Sequence, residues 1–96
     1  METKIQLQHP EGKKAVSMDQ NKYDVLKNAI LNTLRVKGEL THKEMLKAVT
    51  EDFKTNRVKF KGSVEWNMEW VKLDLEARKE IKRVGDKTTL RFTIHK

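Results

Sequence analysis

The stretch 62–79 constrains the fold most, because its apolar side chains fall on two opposite faces of a predicted helix. Two stripes follow from a rotation of about 100° per residue. The first stripe consists of Val64, Met68, Val71 and Leu75. The second consists of Trp66, Trp70, Leu73 and Ala77. One stripe is sufficient to pack on neighbouring helices, so the second requires a cover: the N-terminal strand, the C-terminal hairpin or a partner molecule.

Two further helices are predicted ahead of this one. Ser17 and Gln20 have the spacing of a capping box, so the first helix is expected to begin at Ser17 and to stop at Gly38. Its core face is Tyr23, Leu26, Ile30 and Leu34. Thr41 and Glu44 form a second capping box. The core face of the second helix is Met45, Leu46, Val49 and Phe53.

Short strands are predicted at both ends of the chain. Residues 4–8 alternate polar and apolar side chains, His9–Gly12 supplies a turn, and 15–16 offers a return strand. Residues 81–84 and 87–94 form a C-terminal hairpin, whose Gly85-Asp86 pair favours a tight primed turn. Leu40 is expected to add one strand pair between the helices.

Ninety-six residues suffice for one hydrophobic core, so we expect a single domain spanning residues 1–96. The order strand, three helices and hairpin is typical of an α+β winged-helix domain, the variant of helix-turn-helix that ends in a two-stranded wing.

A family resemblance points the same way. Gly62-Ser63-Val64-x-Trp66 and Val71-Lys72-Leu73-Asp74-Leu75-Glu76-Ala77-Arg78 resemble a family of small, functionally uncharacterised bacterial proteins with a winged-helix-like fold. The similarity extends to the Pro10 turn and to Lys22-Tyr23. Lys79-Glu80 stands where the resemblance leads us to expect a Gly-Leu pair. The resemblance implies a fold and no activity.

The positive charge is concentrated on both sides of the third helix. Of the net charge of +7, residues 54–63 carry four basic and no acidic groups, and residues 79–96 carry six basic and two acidic groups. We therefore predict a non-enzymatic binding domain that contacts a nucleic-acid backbone without reading sequence. The predicted contact residues are Lys54, Arg57, Lys59, Lys61, Ser63, Lys82, Arg83, Lys87 and Arg91. The competing interpretation is that these charges keep a small protein soluble.

The third helix is itself acidic, with two basic and four acidic groups in residues 64–78. Its polar arc of Glu65, Glu69, Lys72, Glu76 and Lys79 is expected to form Glu–Lys pairs on a solvated face. A smaller polar arc consists of Asn67, Asp74 and Arg78. Carboxylates there would repel phosphates, so base reading by this helix is disfavoured.

The alternative function is a protein-interaction or homodimerisation module that uses Trp66, Trp70 and Leu73, because tryptophan is enriched at interfaces. The plainer interpretation of the same residues is core, covered by the N-terminal strand or the hairpin.

Other classes find no support in the sequence. There is no cysteine, and His9, His42 and His95 are scattered, so no metal or cofactor is expected. No nucleotide-binding loop or catalytic constellation is present, which argues against an enzyme. No apolar run approaches the roughly 18 residues of a membrane span and no secretory signal is evident, so a cytoplasmic protein without a membrane partner is expected.

Overall fold

The computed structural model describes residues 3–58, 60, 62–85 and 90–95. The chain is an α+β protein with three helices and two small antiparallel sheets in these residues. The elements are β1 (Lys4–Gln6), β2 (Ser17–Asp19), α1 (Gln20–Lys37), α2 (His42–Thr55), α3 (Val64–Ala77), β3 (Ile81–Val84) and β4 (Arg91–Ile94). All of them contribute side chains to, or pack beside, one hydrophobic core.

The N-terminal strands pair, but the return strand is Ser17–Asp19 and not 15–16, and the first helix begins later than predicted. Ser17 does not cap a helix; it lies in β2, where its hydroxyl donates to the Gln6 side chain at 2.9 Å. The N-cap is Asp19, whose carboxylate accepts the backbone N–H groups of Asn21 and Lys22. Because pairing with β1 keeps residues 17–19 extended and buries Met18, the helix starts only at Gln20.

The predicted core faces and ends of α1 and α2 are confirmed. Every residue of the α1 core face is buried, and Gly38 ends this helix with a φ of 85°. Thr41 and Glu44 form the complete capping box of α2. On α2 the core residues are buried except Leu46, which is half-buried.

The C-terminal hairpin is joined to the helices through the backbone of Leu40. Leu40 and Phe92 exchange N–H···O=C hydrogen bonds of 3.1 and 2.7 Å, which confirms the predicted extra strand pair. Leu40 and Phe92 are both buried, as is Ile81 on the other strand. This attachment holds the hairpin against the start of α2.

The predicted two-residue turn at Gly85-Asp86 is wrong. Ile81 pairs with Ile94 and Val84 pairs with Arg91. Six residues therefore lie between Val84 and Arg91, the last pair in the described part of the hairpin. A tight turn at 85–86 would instead pair residue 84 with residue 87. The bridge between Leu40 and Phe92 sets the observed register, because it holds β4 in place independently of the turn. Asp86 itself lies outside the described residues.

The end of α3 explains the departure from the resembled sequence pattern. Glu80 donates its backbone N–H to the Leu75 carbonyl, and Lys79 donates to the Glu76 carbonyl. These two bonds define a Schellman motif, which places the residue after the cap in a left-handed conformation. Lys79 has a φ of 61°, so a lysine occupies a position that favours glycine.

A buried carboxylate ties the N-terminal segment to two helices. Asp74 is fully buried and accepts hydrogen bonds from the Tyr23 hydroxyl on α1, from the Gln8 backbone N–H at 2.8 Å, and from Arg78 Nε at 2.9 and 3.0 Å. Burial and the bond to Asp74 raise the pKa of the Tyr23 hydroxyl, so it remains a donor. Asp74 was predicted on an outward polar arc, and this expectation is wrong because the N-terminal segment covers it.

We expect Asp74→Ala to reduce the free energy of unfolding by about 2–4 kcal/mol, because it leaves the Tyr23 hydroxyl and the Gln8 N–H without their acceptor and breaks the ion pair with the partly exposed Arg78. Tyr23→Phe should cost only about 1 kcal/mol, since Asp74 keeps its other partners. The double variant should cost less than the sum of the two. Urea denaturation followed by circular dichroism measures all three. A loss below about 1 kcal/mol for Asp74→Ala would contradict this role.

Candidate functional site

The second apolar stripe of α3 is only partly covered. Trp66 remains 54% exposed, whereas Trp70, Leu73 and Ala77 are half-buried. Trp70 packs against the core, and its ring meets that of Trp66 edge to face at a centroid distance of 6.2 Å. We call Trp66, Trp70, Leu73 and Ala77 the tryptophan face. Neither the N-terminal strand nor the hairpin covers Trp66.

Local structure positions the exposed indole. Ser63 caps α3 by accepting the Trp66 backbone N–H at 3.1 Å, which places Trp66 in the first turn. The first stripe is confirmed as the core face: Met68, Val71 and Leu75 are fully buried. Trp66 lies on the opposite side of the helix and therefore faces solvent.

Both flanks of the buried face carry polar groups that the structure encloses. Asn67 is 7% exposed and donates its side-chain amide to the Ser63 carbonyl. Asn67 and Asp74 lie on one flank and Lys72, which is 4% exposed, lies on the other. The prediction that Lys72 lies on a solvated face is wrong, because α2 and the hairpin enclose it, and the N-terminal segment encloses the other flank.

Lys72 is the centre of a compact charged cluster. Its Nζ lies 3.0 Å from His42 Nδ1, 3.3 Å from Glu69 Oε1 and 4.3 Å from the centroid of the Phe92 ring. Burial lowers the pKa of Lys72, and the nearby Glu69 carboxylate opposes that shift. A charged Lys72 ammonium group can only donate hydrogen bonds, so His42 Nδ1 is the acceptor. The ring proton is therefore assigned to Nε2, which lies 3.9 Å from Glu65 Oε1.

The expected pair between Glu69 and Lys72 is therefore present, but it is a half-buried structural contact and not a solvated one. The side chain of His42 is 31% exposed and participates in the cluster. No sequence spacing links His42 to Lys72. Only the crossing of α2 and α3 brings them together.

We expect Lys72→Met to raise the free energy of unfolding at about pH 7 by up to about 1 kcal/mol, because it keeps the packing on Phe92 and removes a buried charge. The lowered pKa of Lys72 sets the pH dependence. As the pH rises towards the unfolded value of about 10.4, the unfolded chain binds more protons at this lysine than the folded chain does, so the wild type gains stability there.

The advantage of Lys72→Met should therefore shrink between about pH 7 and about pH 9.5. Urea denaturation at both values checks this, with the exposed Lys47→Met as the charge-matched control. A variant destabilised by more than about 2 kcal/mol at neutral pH would show instead that the amine is a net stabilising group.

Of the residues predicted to contact phosphate, Ser63 caps α3, and the eight basic residues fall into three groups. Lys54, Arg57 and Lys82 are exposed and form no ion pair within the described ranges. Arg83 and Arg91 are engaged internally, Arg83 with Glu76 at 2.6 Å and Arg91 with Glu44 at 3.4 Å. The remaining cations, Lys59, Lys61 and Lys87, lie outside the described residues.

The two basic groups lie at opposite ends of α2. Lys54 and Arg57 are at its C-terminal end, while the hairpin is attached at Leu40 before its N-terminal end. A helix of 14 residues is about 21 Å long, so the groups are separated by roughly that length. The exposed Glu65 and half-buried Glu69 lie close to His42, at the N-terminal end of α2.

The described residues contain neither a metal-binding cluster nor a membrane-spanning helix. No group of three or more histidine, aspartate or glutamate side chains is placed to hold a metal ion in that part of the chain. None of its helices combines the length and apolarity needed to cross a bilayer.

Comparison with known proteins identifies the family. No curated protein and no solved structure matches the chain. Residues 4–92, nearly the whole sequence, match a family of unknown function. The chain belongs to this family, DUF6958.

Proposed function

We propose that the chain is a small, cytoplasmic, non-enzymatic winged-helix domain that docks another protein chain through its tryptophan face. The observation that carries this proposal is the exposure of Trp66, more than half of whose surface faces solvent beside a second tryptophan. The order of three helices followed by a hairpin attached at Leu40 supports the winged-helix assignment.

Burying an exposed indole together with neighbouring apolar side chains contributes a large favourable free energy to binding. Tryptophan buries roughly 150–250 Å² in a contact, and apolar burial is worth about 25 cal/mol per Å². Trp70, Leu73 and Ala77 extend the apolar surface along α3, so a partner would meet a continuous stripe. Tryptophan is enriched among the residues that contribute most to binding at protein interfaces.

The arrangement also separates docking from stability. Trp70 packs on the core, whereas Trp66 meets the ring of Trp70 and leaves more than half of its surface exposed. A substitution at Trp66 therefore tests docking while the core remains intact.

Photocrosslinking provides the test. The photoreactive amino acid p-benzoylphenylalanine replaces Trp66 in one variant and Val36, which is 83% exposed, in a control. We expect a protein adduct in cells from position 66 and not from position 36, because only the former lies on a docking face. Trp66→Ala should change the free energy of unfolding by less than about 1 kcal/mol. The absence of an adduct at 66, or equal adducts at both positions, would refute docking through this face.

A second candidate is contact with a nucleic-acid backbone, and the observation favouring it is the exposure of Lys54, Arg57 and Lys82 without an acidic partner in the described chain. Arg83 and Arg91 contribute less to this candidate, because their guanidinium groups already bind Glu76 and Glu44. Contact would therefore centre on the end of α2 and the following loop.

Binding of a fluorescent DNA duplex over a range of salt concentrations tests this candidate. Replacing Lys54 and Arg57 together by alanine should reduce the slope of log K against log salt by about 1.8, that is, about 0.9 per lost phosphate contact. Replacing Lys4 and Lys14, two exposed lysines of the N-terminal segment, makes the same charge change elsewhere. Equal slopes for the two double variants would remove the α2 end from any nucleic-acid site.

A further inference from the structure

We propose that the chain docked on the tryptophan face is a second copy of this protein, with the two α3 helices packed antiparallel about a two-fold axis near residues 71–72. This inference rests on the proposed docking function and specifies its partner. Two features carry it: the order of large and small side chains along the stripe of α3 and the charges on one flank of that helix.

The side chains of the stripe complement in size those of a second copy that runs in the opposite direction. From Trp66 to Ala77 it covers eleven steps of the helix, or about 16.5 Å. An antiparallel two-fold places Trp66 opposite the partner's Ala77 and Trp70 opposite the partner's Leu73. Each large side chain then meets a smaller one, which is the arrangement that fills a helix–helix interface without voids.

If the two α3 helices ran parallel, the side chains that meet would complement each other less well in size. It would set each Trp66 against the partner's Trp66 and each Ala77 against the partner's Ala77. One end of the contact would be overfilled and the other would leave a gap. An isologous contact requires a patch that complements itself, and only the antiparallel order meets that condition.

Charge on the flank of the stripe favours the same order. Glu65 and Glu69 lie on one flank of α3 in its N-terminal half, and Arg83 lies beside Glu76 on that flank at the C-terminal end. A two-fold axis perpendicular to the helix sets the N-terminal half of this flank against its C-terminal half in the partner. The Arg83 side chain is 50% exposed and the Glu76 side chain only 6%, so the partner presents mainly a cation.

A size-exchange experiment tests the arrangement by sedimentation equilibrium at chain concentrations up to about 1 mM. The wild type should dimerise. Trp66→Ala and Ala77→Trp should each raise the dissociation constant at least about tenfold, the first by leaving a gap and the second by setting two indoles against each other. The double variant, with Trp66→Ala and Ala77→Trp on one chain, restores a large–small pair at each end and should dimerise more strongly than either single variant.

Disulfide trapping gives an independent readout if the exchanged variants fold poorly. The chain contains no cysteine, so every disulfide comes from an introduced pair. In an equal mixture of Trp70→Cys and Leu73→Cys chains, antiparallel packing should yield mainly the mixed 70–73 disulfide. Predominance of 70–70 and 73–73 disulfides would overturn the proposed order.

The outcomes separate the inference from the function on which it rests. A wild-type chain that stays monomeric to about 1 mM overturns the second copy as partner. In that case a crosslinked adduct of position 66 with a chain of different mass would leave the docking function standing. An adduct of twice the chain mass of 11.3 kDa would support the inference.

Discussion

The buried carboxylate of Asp74 is the interaction on which the arrangement of the chain depends. A fully buried charge is tolerated only when it is paired and hydrogen-bonded, and here the partners come from α1, from the N-terminal segment and from α3 itself. Meeting that requirement draws the N-terminal segment against one flank of α3. The position of Leu7, which is 2% exposed, follows from the same contact.

Lys72 imposes a comparable constraint on the other flank. Its ammonium group is enclosed by His42, Glu69 and the ring of Phe92, so α2, α3 and the hairpin meet around it. The two buried charges of α3 thus recruit different parts of the chain on opposite sides of the same core face. The tryptophan face lies between these two flanks. It stays partly exposed because the N-terminal segment, α2 and the hairpin pack on the flanks instead.

Much of the secondary structure could be predicted because its signals are local. The capping box of Thr41 and Glu44, the stop at Gly38 and the cap at Ser63 act through backbone groups within a few residues. The start of α1 was misplaced because Ser17 and Asp19 are both good caps. Pairing with β1, a contact between residues distant in sequence, decided between them. The turn at 85–86 was misplaced for a similar reason, since a contact outside the hairpin sets its register.

By itself, the sequence determined the periodicity of the helices, the existence of two apolar stripes on α3 and the distribution of charge along the chain. These properties depend on residue type and spacing, which any helix preserves. Only the tertiary structure decided which polar residues are buried, which arginines are engaged by carboxylates, and that Trp66 stays exposed while Trp70 packs on the core. Those outcomes depend on which segments pack against α3. Contacts such as Gln8 with Asp74 or His42 with Lys72 join residues that are far apart in the sequence, and nothing in their spacing predicts that they meet.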